Sequence, residues 1–272
     1  MAYISNILCV IIKIKHNILY FPLDFSAIWS YTEKRSGFLG GVNVRIAGLQ
    51  KMTLLDFPGA IACTVFLPGC NLRCPFCHNA SLVLRPGEPP MLAQAELLAF
   101  LESRKGKLDG VCITGGEPTL HKDLPQLIRT IKEMGYAVKL DTNGSDPGML
   151  RNLLDENLLD YVAMDIKNSP DRYAETCGNV DILPQVKESA KLLMEGSVPY
   201  EFRTTVCHPF HDEAAIVAIG KWLKGAKQYF LQGFVDSGDL IGQGMQALTP
   251  QQMDTLRQAA LPYIPNTHIR GI

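Results

Sequence analysis

The sequence lacks an excess of charge of either sign. Its 26 Lys and Arg residues and 27 Asp and Glu residues leave a net charge of −1 over 272 residues. Nucleic acids and anionic membranes attract clustered positive charge, so this composition gives no reason to expect either as a partner. With 47% hydrophobic and 19% charged residues, the composition is that of a globular protein large enough for one α/β domain with a substantial core.

A long apolar run and a secretory leader are also missing. The longest uncharged stretch near the N-terminus, residues 1–12, is too short to span a bilayer. The first residues carry no positive side chain and no clear small-residue cleavage site follows them, so a secretory signal is not expected. Eight cysteines in a chain without such a signal indicate a reducing compartment, which predicts a cytoplasmic protein.

Residues 1–43 differ from the rest of the chain. A regular pattern begins only near Val44, and the apolar part of the first segment is interrupted by two lysines and a histidine. We expect a poorly patterned N-terminal extension that is not part of the native domain, and a working domain over residues 44–272. The native start would then lie near Val42 or Val44, because the valine codon GTG can also initiate translation. A membrane-surface anchor is the alternative for the extension.

From residue 44 onward, strand patterns alternate with helix patterns. Apolar runs rich in β-branched and aromatic residues predict six strands, over residues 60–67, 110–114, 136–141, 161–166, 200–206 and 228–232. Apolar residues at helical spacing predict six helices, over residues 91–104, 122–134, 147–157, 184–195, 212–225 and 250–261. Alternation predicts parallel strands joined by right-handed crossovers. Six units do not complete an eight-stranded barrel, so we expect an α/β fold, an open partial (β/α)6 barrel with parallel strands.

Three cysteines are concentrated in one short segment after the first predicted strand. Cys70, Cys74 and Cys77 have the spacing C-x3-C-x2-C. Cysteine thiolates are the usual ligands of iron–sulfur clusters, and three of them can hold three corners of a cubane while the fourth iron stays open. An open coordination position is typical of a metal site that performs chemistry.

Two other readings of these cysteines remain. His78 could complete a Cys3His zinc site, although the side chains of adjacent residues rarely converge on one tetrahedral centre. A disulfide framework is disfavoured because the other five cysteines are scattered along the chain. A second metal site at His208 and His211 is a further alternative, but histidines in loops are more often simply solvated.

Polar residues and glycines follow the other predicted strands. In parallel α/β folds the site lies at the C-terminal ends of the strands, so these residues are candidates for one pocket. Glycines let the backbone approach a ligand closely. Plainer readings are a tight turn for the glycines, helix capping by Asp141 or Thr142, and a surface pair of Asp165 with Lys167. The candidates, in strand order, are Gly115, Gly116 and Glu117; Asp141, Thr142 and Asn143; Asp165 and Lys167; Arg203; and Gln232.

The cysteine loop, with Phe76 directly before Cys77, resembles the radical S-adenosylmethionine superfamily. The Gly-Gly-Glu-Pro turn at residues 115–118 is similar to the second motif of that superfamily. The resemblance implies a radical SAM oxidoreductase fold and activity over about residues 44–270. It also implies a 4Fe-4S cluster and S-adenosylmethionine as cofactors. A single cluster is expected, because the sequence has no additional ferredoxin-like cysteine clusters.

A subgroup is indicated as well. Residues 77–79 (Cys-His-Asn) and 140–144 (Leu-Asp-Thr-Asn-Gly) resemble the glycyl-radical-enzyme activases, which include the pyruvate formate-lyase activating enzyme. Residues 45–51 and 55–59 are similar to proteins labelled anaerobic ribonucleoside-triphosphate reductase activating protein. The resemblance then implies a protein substrate, namely a partner glycyl-radical enzyme. Among such partners it favours anaerobic ribonucleotide reductase. A flavodoxin or ferredoxin would donate the electron.

The resemblance implies a mechanism. Cys70, Cys74 and Cys77 would hold the cluster, whose fourth iron would bind the methionine amino and carboxylate groups of S-adenosylmethionine. One electron would cleave the cofactor to methionine and a 5′-deoxyadenosyl radical, which would take a hydrogen atom from a glycine Cα of the partner. The cofactor supplies the difficult chemistry, and the protein positions it.

Roles for the remaining candidates follow from the same resemblance or from their positions. Phe76 would cover the cluster, and Asn79 would hydrogen-bond near it. The backbone of Gly115 and Gly116 would receive the methionine amine. Some activases bind a monovalent cation, which Asp141, Thr142 and Asp165 would hold here. The other expected cofactor contacts are Glu117, Asn143, Lys167, Arg203 and Gln232.

Two other functions stay open at this point. A radical SAM enzyme of this size could instead act on a small molecule or on another glycyl-radical enzyme. A module that binds metal without catalysis belongs to a different class, and it would never cleave the cofactor.

Overall fold

The computed structural model describes residues 44–88 and 90–271. The expected N-terminal extension, residues 1–43, lies outside the described residues. Within the described part of the chain, no helix is at once long enough and apolar enough to cross a membrane.

The described residues form eight strands and eight helices. The strands are β1 (Gly48–Thr53), β2 (Ala62–Leu67), β3 (Gly110–Gly115), β4 (Ala137–Thr142), β5 (Tyr161–Asp165), β6 (Tyr200–Val206), β7 (Tyr229–Gly233) and β8 (Thr267–Arg270). The helices are α1 (Ala80–Leu84), α2 (Gln94–Ser103), α3 (Leu124–Glu133), α4 (Pro147–Asp155), α5 (Tyr173–Thr176), α6 (Leu183–Glu195), α7 (Glu213–Trp222) and α8 (Pro250–Ala260). Two short 3-10 turns cover Pro118–Leu120 and Pro170–Arg172.

All eight strands belong to one sheet, in the order β1 to β8. Strands β2 to β8 are parallel, and β1 pairs with β2 in the antiparallel direction. The six predicted strands are confirmed as β2 to β7, and the sheet is open, as expected for a partial barrel. The edge strands β1 and β8 were not predicted, because β1 is largely exposed and β8 has only four residues.

The core lies between the sheet and the helices that cover it. The strand residues Val111, Ile113, Val138 and Leu140 are fully buried, as expected for parallel strands that helices cover. The apolar face of α3 packs against them and buries its four large aliphatic residues completely. Each such side chain stabilises the fold by roughly 1.5–3 kcal/mol relative to exposure.

Helix starts follow the capping chemistry of the sequence. Asp212 accepts a hydrogen bond from Ala215 N at the start of α7, and Thr249 forms a capping box at the start of α8. At the start of α4, Asp146 Oδ1 accepts a hydrogen bond of 2.8 Å from Met149 N. Asp123 occupies the same position before α3, but its side chain makes no capping hydrogen bond.

A close backbone contact joins the ends of β2 and β3. Gly116 N donates to Leu67 O over 2.8 Å, and Glu117 N donates to Gly69 O over 2.7 Å. A Cβ atom on Gly116 would lie 1.9 Å from Gly69 O, and Gly115 has a φ of 122°. Only glycine fits both positions, because any side chain would collide with the backbone or strain it. The two glycines therefore place the loop after β3 directly against the start of the cysteine loop.

Gly116→Ala is expected to destabilise the protein by at least about 2 kcal/mol, because the added methyl group overpacks a backbone contact. Thermal unfolding of both proteins measures the effect. Gly87→Ala is the matched control, since a Cβ at Gly87 has nothing within 4 Å. Equal melting temperatures for the two variants would contradict the close contact.

Asp146→Ala is expected to lower the free energy of unfolding by about 1 kcal/mol, because it removes the cap of α4. Asp123→Ala should change it much less, since Asp123 makes no side-chain cap. Denaturant titration of the two variants gives the comparison. A larger loss for the Asp123 variant would show that the cap is not the stabilising contact.

Candidate active site

The cysteine loop lies at the C-terminal end of β2 and borders a cavity of about 250 Å³. Cys70, Cys74 and Cys77 are free thiols, and all three line this cavity. The loop is held in shape from within, because Cys77 N donates to Cys74 O over 3.1 Å and Leu72 N donates to Cys70 Sγ over 3.4 Å. Three cysteine sulfurs on one cavity are a donor set that fits a 4Fe-4S cluster with one iron left open.

A cubane differs from a single metal ion, because each cysteine binds its own iron. Among residues 44–88 and 90–271, no three His, Cys, Asp or Glu side chains lie close enough together to hold a single ion. His78, the alternative fourth ligand, packs its ring against Phe234 with a centroid distance of 5.5 Å. His211 is one of the two histidines considered for a second metal site. It is buried, and its Nε2 lies 2.8 Å from Lys167 O.

The electrostatics of the cysteine loop depend on burial and on one lysine. Burial raises the pKa of Cys70 to about 11, and it also raises the pKa of Cys77. Contact with the thiol of Cys177 lowers the pKa of Cys74. The positive charge of Lys167 acts on all three thiols in the direction of the thiolate, the form that binds iron.

Aromatic packing shields one side of the loop. Phe76 is buried and lines the cavity, and its ring lies edge-on to Phe210 and His211 at centroid distances of 5.9 and 5.8 Å. On the outer side, Gly242 N donates to Pro75 O over 2.8 Å, so the segment after β7 also contacts the cysteine loop. These contacts leave Phe76 itself almost completely shielded from solvent.

Glu117 joins the loops that follow β3 and β4. Its side chain is 0% exposed. Glu117 Oε1 accepts a hydrogen bond of 2.7 Å from the Thr142 hydroxyl, and Oε2 accepts one of 2.6 Å from Asn143 N. Thr119 donates two more through its amide and hydroxyl groups. Burial raises the pKa of Glu117 despite these donors. The observed contacts of Glu117 therefore tie two loops together.

Two asparagines connect the cysteine loop to its neighbours. Asn143 Nδ2 donates to Asn71 Oδ1 over 3.0 Å and lies 3.8 Å from Cys70 Sγ. Asn79 Nδ2 donates to Gly115 O over 2.9 Å. The sequence predicted a contact near the cluster for Asn79, and the structure shows its partner to be the glycine turn.

Five charged side chains form an ionic ladder across β4, β5 and β6: Lys139, Asp141, Arg203, Asp165 and Lys167. Arg203 is central, because its Nη1 lies 3.0 Å from Asp141 Oδ2 and its Nε lies 2.8 Å from Asp165 Oδ1. Lys139 pairs with the other oxygen of Asp141, and Lys167 Nζ lies 3.0 Å from Asp165 Oδ2. Burial acts to raise the pKa of Asp165, but Arg203 and Lys167 outweigh it and lower that pKa to about 2.

The ladder changes two interpretations of the sequence. Asp141 does not cap a helix, because its carboxylate pairs with Lys139 and Arg203. Asp165 and Lys167 do pair, but they line the cavity and do not form an isolated surface pair. The hydroxyl of Thr142 points to Glu117 and away from both aspartates. Of the three residues predicted to hold a cation, the two aspartates therefore share Arg203, whereas the hydroxyl of Thr142 bonds Glu117.

Every site residue predicted from the sequence lines this one cavity. Gln232 and the glycine turn border it together with the cysteines and four members of the ladder. Sequence reasoning missed Lys139, Thr205, Asn71 and Cys177. Lys139 was detectable in principle, since it lies two residues before Asp141 on a strand and therefore on the same face.

Comparison with known proteins identifies a family and two relatives. The family model described as the Radical SAM superfamily matches residues 64–223, which is more than half of the chain. A Methanocaldococcus jannaschii protein that is provisionally named glycyl-radical enzyme activating enzyme is 32% identical over 236 residues, covering 84% of this chain and 96% of the relative. The pyruvate formate-lyase-activating enzyme of Clostridium pasteurianum is 36% identical over 132 residues, covering 47% and 54%.

A solved structure shows the same fold. Streptococcus suis SuiB bound to S-adenosylmethionine has a TM-score of 0.59 to this chain at 15% identity, over 76% of this chain and 52% of SuiB. The chain thus belongs to the radical SAM superfamily, and it is an oxidoreductase-type enzyme whose cofactors are a 4Fe-4S cluster and S-adenosylmethionine.

Proposed function

We propose that this chain is an activating enzyme that removes a hydrogen atom from the Cα of a glycine on a partner glycyl-radical enzyme. The observation that carries the proposal is the similarity to the M. jannaschii relative, because it extends over 84% of this chain and 96% of that protein. Relatives that match only the cysteine loop and its neighbouring strands would not distinguish a protein substrate from a small one.

The shape of the site supports a protein substrate. A second cavity of about 270 Å³ adjoins the first and shares His78, Thr205 and Gln232 with it. It continues to Arg270 and Gly271, at the end of the edge strand β8. A loop that carries a glycine can therefore approach the cofactor site from the open side of the sheet.

When bound, the cluster and S-adenosylmethionine supply a one-electron cleavage that yields methionine and a carbon radical able to take a hydrogen atom. Cys70, Cys74 and Cys77 hold the cluster. Lys167 and Arg203 place positive charge on the cavity wall, which suits the carboxylate of the cofactor. Phe76 excludes water from the cysteine loop, and a dry environment protects a reactive radical from side reactions.

The partner is proposed to be anaerobic ribonucleoside-triphosphate reductase. The support is the similarity of residues 45–51 and 55–59 to activating proteins with that label. The electron donor is proposed to be a flavodoxin or a ferredoxin, as the family resemblance implies. The reducing chemistry of the site is consistent with a cytoplasmic location, which is also part of the proposal.

Mixing the anaerobically reconstituted and reduced enzyme with S-adenosylmethionine and the reductase is expected to give a glycyl radical. Electron paramagnetic resonance of the mixture measures it, and 5′-deoxyadenosine formed in parallel measures cofactor cleavage. Cys74→Ala removes one cluster ligand and should abolish both signals. A reductase in which alanine replaces the radical glycine should lose the glycyl signal alone.

Two results would contradict the proposed activating role. Cofactor cleavage without a radical on any glycyl-radical enzyme, but with consumption of a small molecule, would move the substrate to another class. A reconstituted and reduced protein that never cleaves the cofactor would remove the activating role altogether.

A further inference from the structure

Lys139 is a charged residue in the middle of a buried strand. It lies on β4 with 1% of its surface exposed. Lysine is almost never fully buried unless its charge is paired. Here the ammonium group contacts one oxygen of Asp141, and the sulfur of Cys112 lies 3.8 Å from Nζ. Burial raises the pKa of Cys112 well above its ordinary value, so this thiol stays neutral and Asp141 is the charged partner.

All four carboxylate oxygens of the ladder already have a cationic partner. Asp141 Oδ1 pairs with Lys139 and Asp141 Oδ2 pairs with Arg203. Asp165 Oδ1 pairs with Arg203, and Asp165 Oδ2 pairs with Lys167. Hard metal cations bind oxygen ligands, and each carboxylate oxygen of the two aspartates already pairs with a cationic side chain of this chain.

The charge of the ladder leads to the same conclusion. Its three cations face two carboxylates, which leaves one positive charge in excess. The neighbouring Glu201 and Arg270 do not alter this balance, because they pair with each other over 2.6 Å. A metal ion beside Asp141 would therefore add positive charge to a ladder that already has a surplus, and like charges at close range repel each other. The monovalent cation that the family resemblance implies does not fit these residues.

We propose that Lys139 is a tethered cation of the cofactor site, that is, a positive charge attached to the chain that takes the place of a bound metal ion. Its ammonium group holds the Asp141 carboxylate in place and supplies the positive charge that a bound monovalent ion would otherwise bring. The enzyme consequently binds S-adenosylmethionine without such an ion. Lys139 is a positioning residue, because it does not line the cavity and acts through Asp141.

The test is the affinity of the anaerobically reconstituted enzyme for S-adenosylmethionine, measured by equilibrium dialysis. The buffer contains tetramethylammonium as its only cation, which is too large to enter the site, and KCl then replaces the tetramethylammonium salt at constant ionic strength. The Kd of the wild-type enzyme is expected to change by no more than about twofold. A wild-type Kd that depends strongly on potassium would overturn the proposal.

Two variants separate charge from volume. Lys139→Ala removes the cation from Asp141 Oδ1 but leaves space, so affinity should fall by roughly tenfold or more and recover with potassium or ammonium ions. Lys139→Met fills the space without the charge, so its lower affinity should not recover. A Lys139→Ala protein that binds normally, or that no small cation rescues, would show that the lysine does not serve as a tethered cation.

Lys132→Ala is the matched control. It also removes a lysine paired with an aspartate, Asp160, but this pair does not border the cavity. Its affinity for the cofactor should equal that of the wild type at every potassium concentration. Iron content and far-UV circular dichroism confirm that each variant is folded and loaded. If the alanine variant does not fold, the wild-type titration decides alone.

The inference depends on the cofactor site of the superfamily and not on the proposed glycyl-radical partner. Failure of the potassium experiment leaves the expected glycyl radical signal unchanged. Failure to form a glycyl radical leaves the affinity for S-adenosylmethionine unchanged. The two proposals can therefore be judged separately.

Discussion

The contact of Arg203 with Asp141 and Asp165 is the interaction on which the rest of the site depends. One guanidinium group on β6 reaches carboxylates on β5 and β4. It therefore joins three neighbouring central strands of the sheet. Each of these charges would be expensive to bury alone, because desolvation of an unpaired ion costs several kcal/mol. Pairing of every member offsets this cost, and the ladder contributes four charged side chains to the lining of the cavity.

The part of the cavity that carries the cysteines is held by hydrogen bonds and not by ion pairs. The cysteine loop leaves β2 beside the glycine turn, and Glu117 ties that turn to the residues after β4. Glu117 receives its hydrogen bonds from two backbone amides and two hydroxyl groups. The site thus combines a wall held by ion pairs with a wall held by backbone geometry. The cavity therefore borders both the positively charged side chains and the three cysteine sulfurs.

Much of the fold and many of the site residues could be predicted from the sequence, because they depend on local patterns. Apolar runs predicted β2 to β7, and the alternation with helices fixed their parallel direction. Parallel strands bring their C-terminal ends to one edge, so residues that follow those strands had to share a site. The edge strands escaped prediction because β1 is exposed and pairs in the antiparallel direction, while β8 is short.

The partners of the charged residues could not be read in the same way. Asp141 has the sequence pattern of a helix cap, and only the register of β4, β5 and β6 shows that Arg203 reaches it. Strand alternation places Lys139 on the same face as Asp141, but only the structure shows that the two side chains pair. Thr142 follows Asp141 directly but faces Glu117, because successive side chains of a strand point to opposite sides. Pairing across strands is a property of three dimensions.

The contact between Gly69 and Gly116 has a consequence for sequence variation. It is made by backbone atoms alone, so substitutions in the surrounding side chains leave it unchanged. Gly116 itself tolerates substitution poorly, because every other amino acid carries a Cβ atom that would collide with Gly69 O. Substitutions of the neighbouring side chains therefore do not act on this contact directly, whereas any amino-acid change at the codon for Gly116 disturbs it.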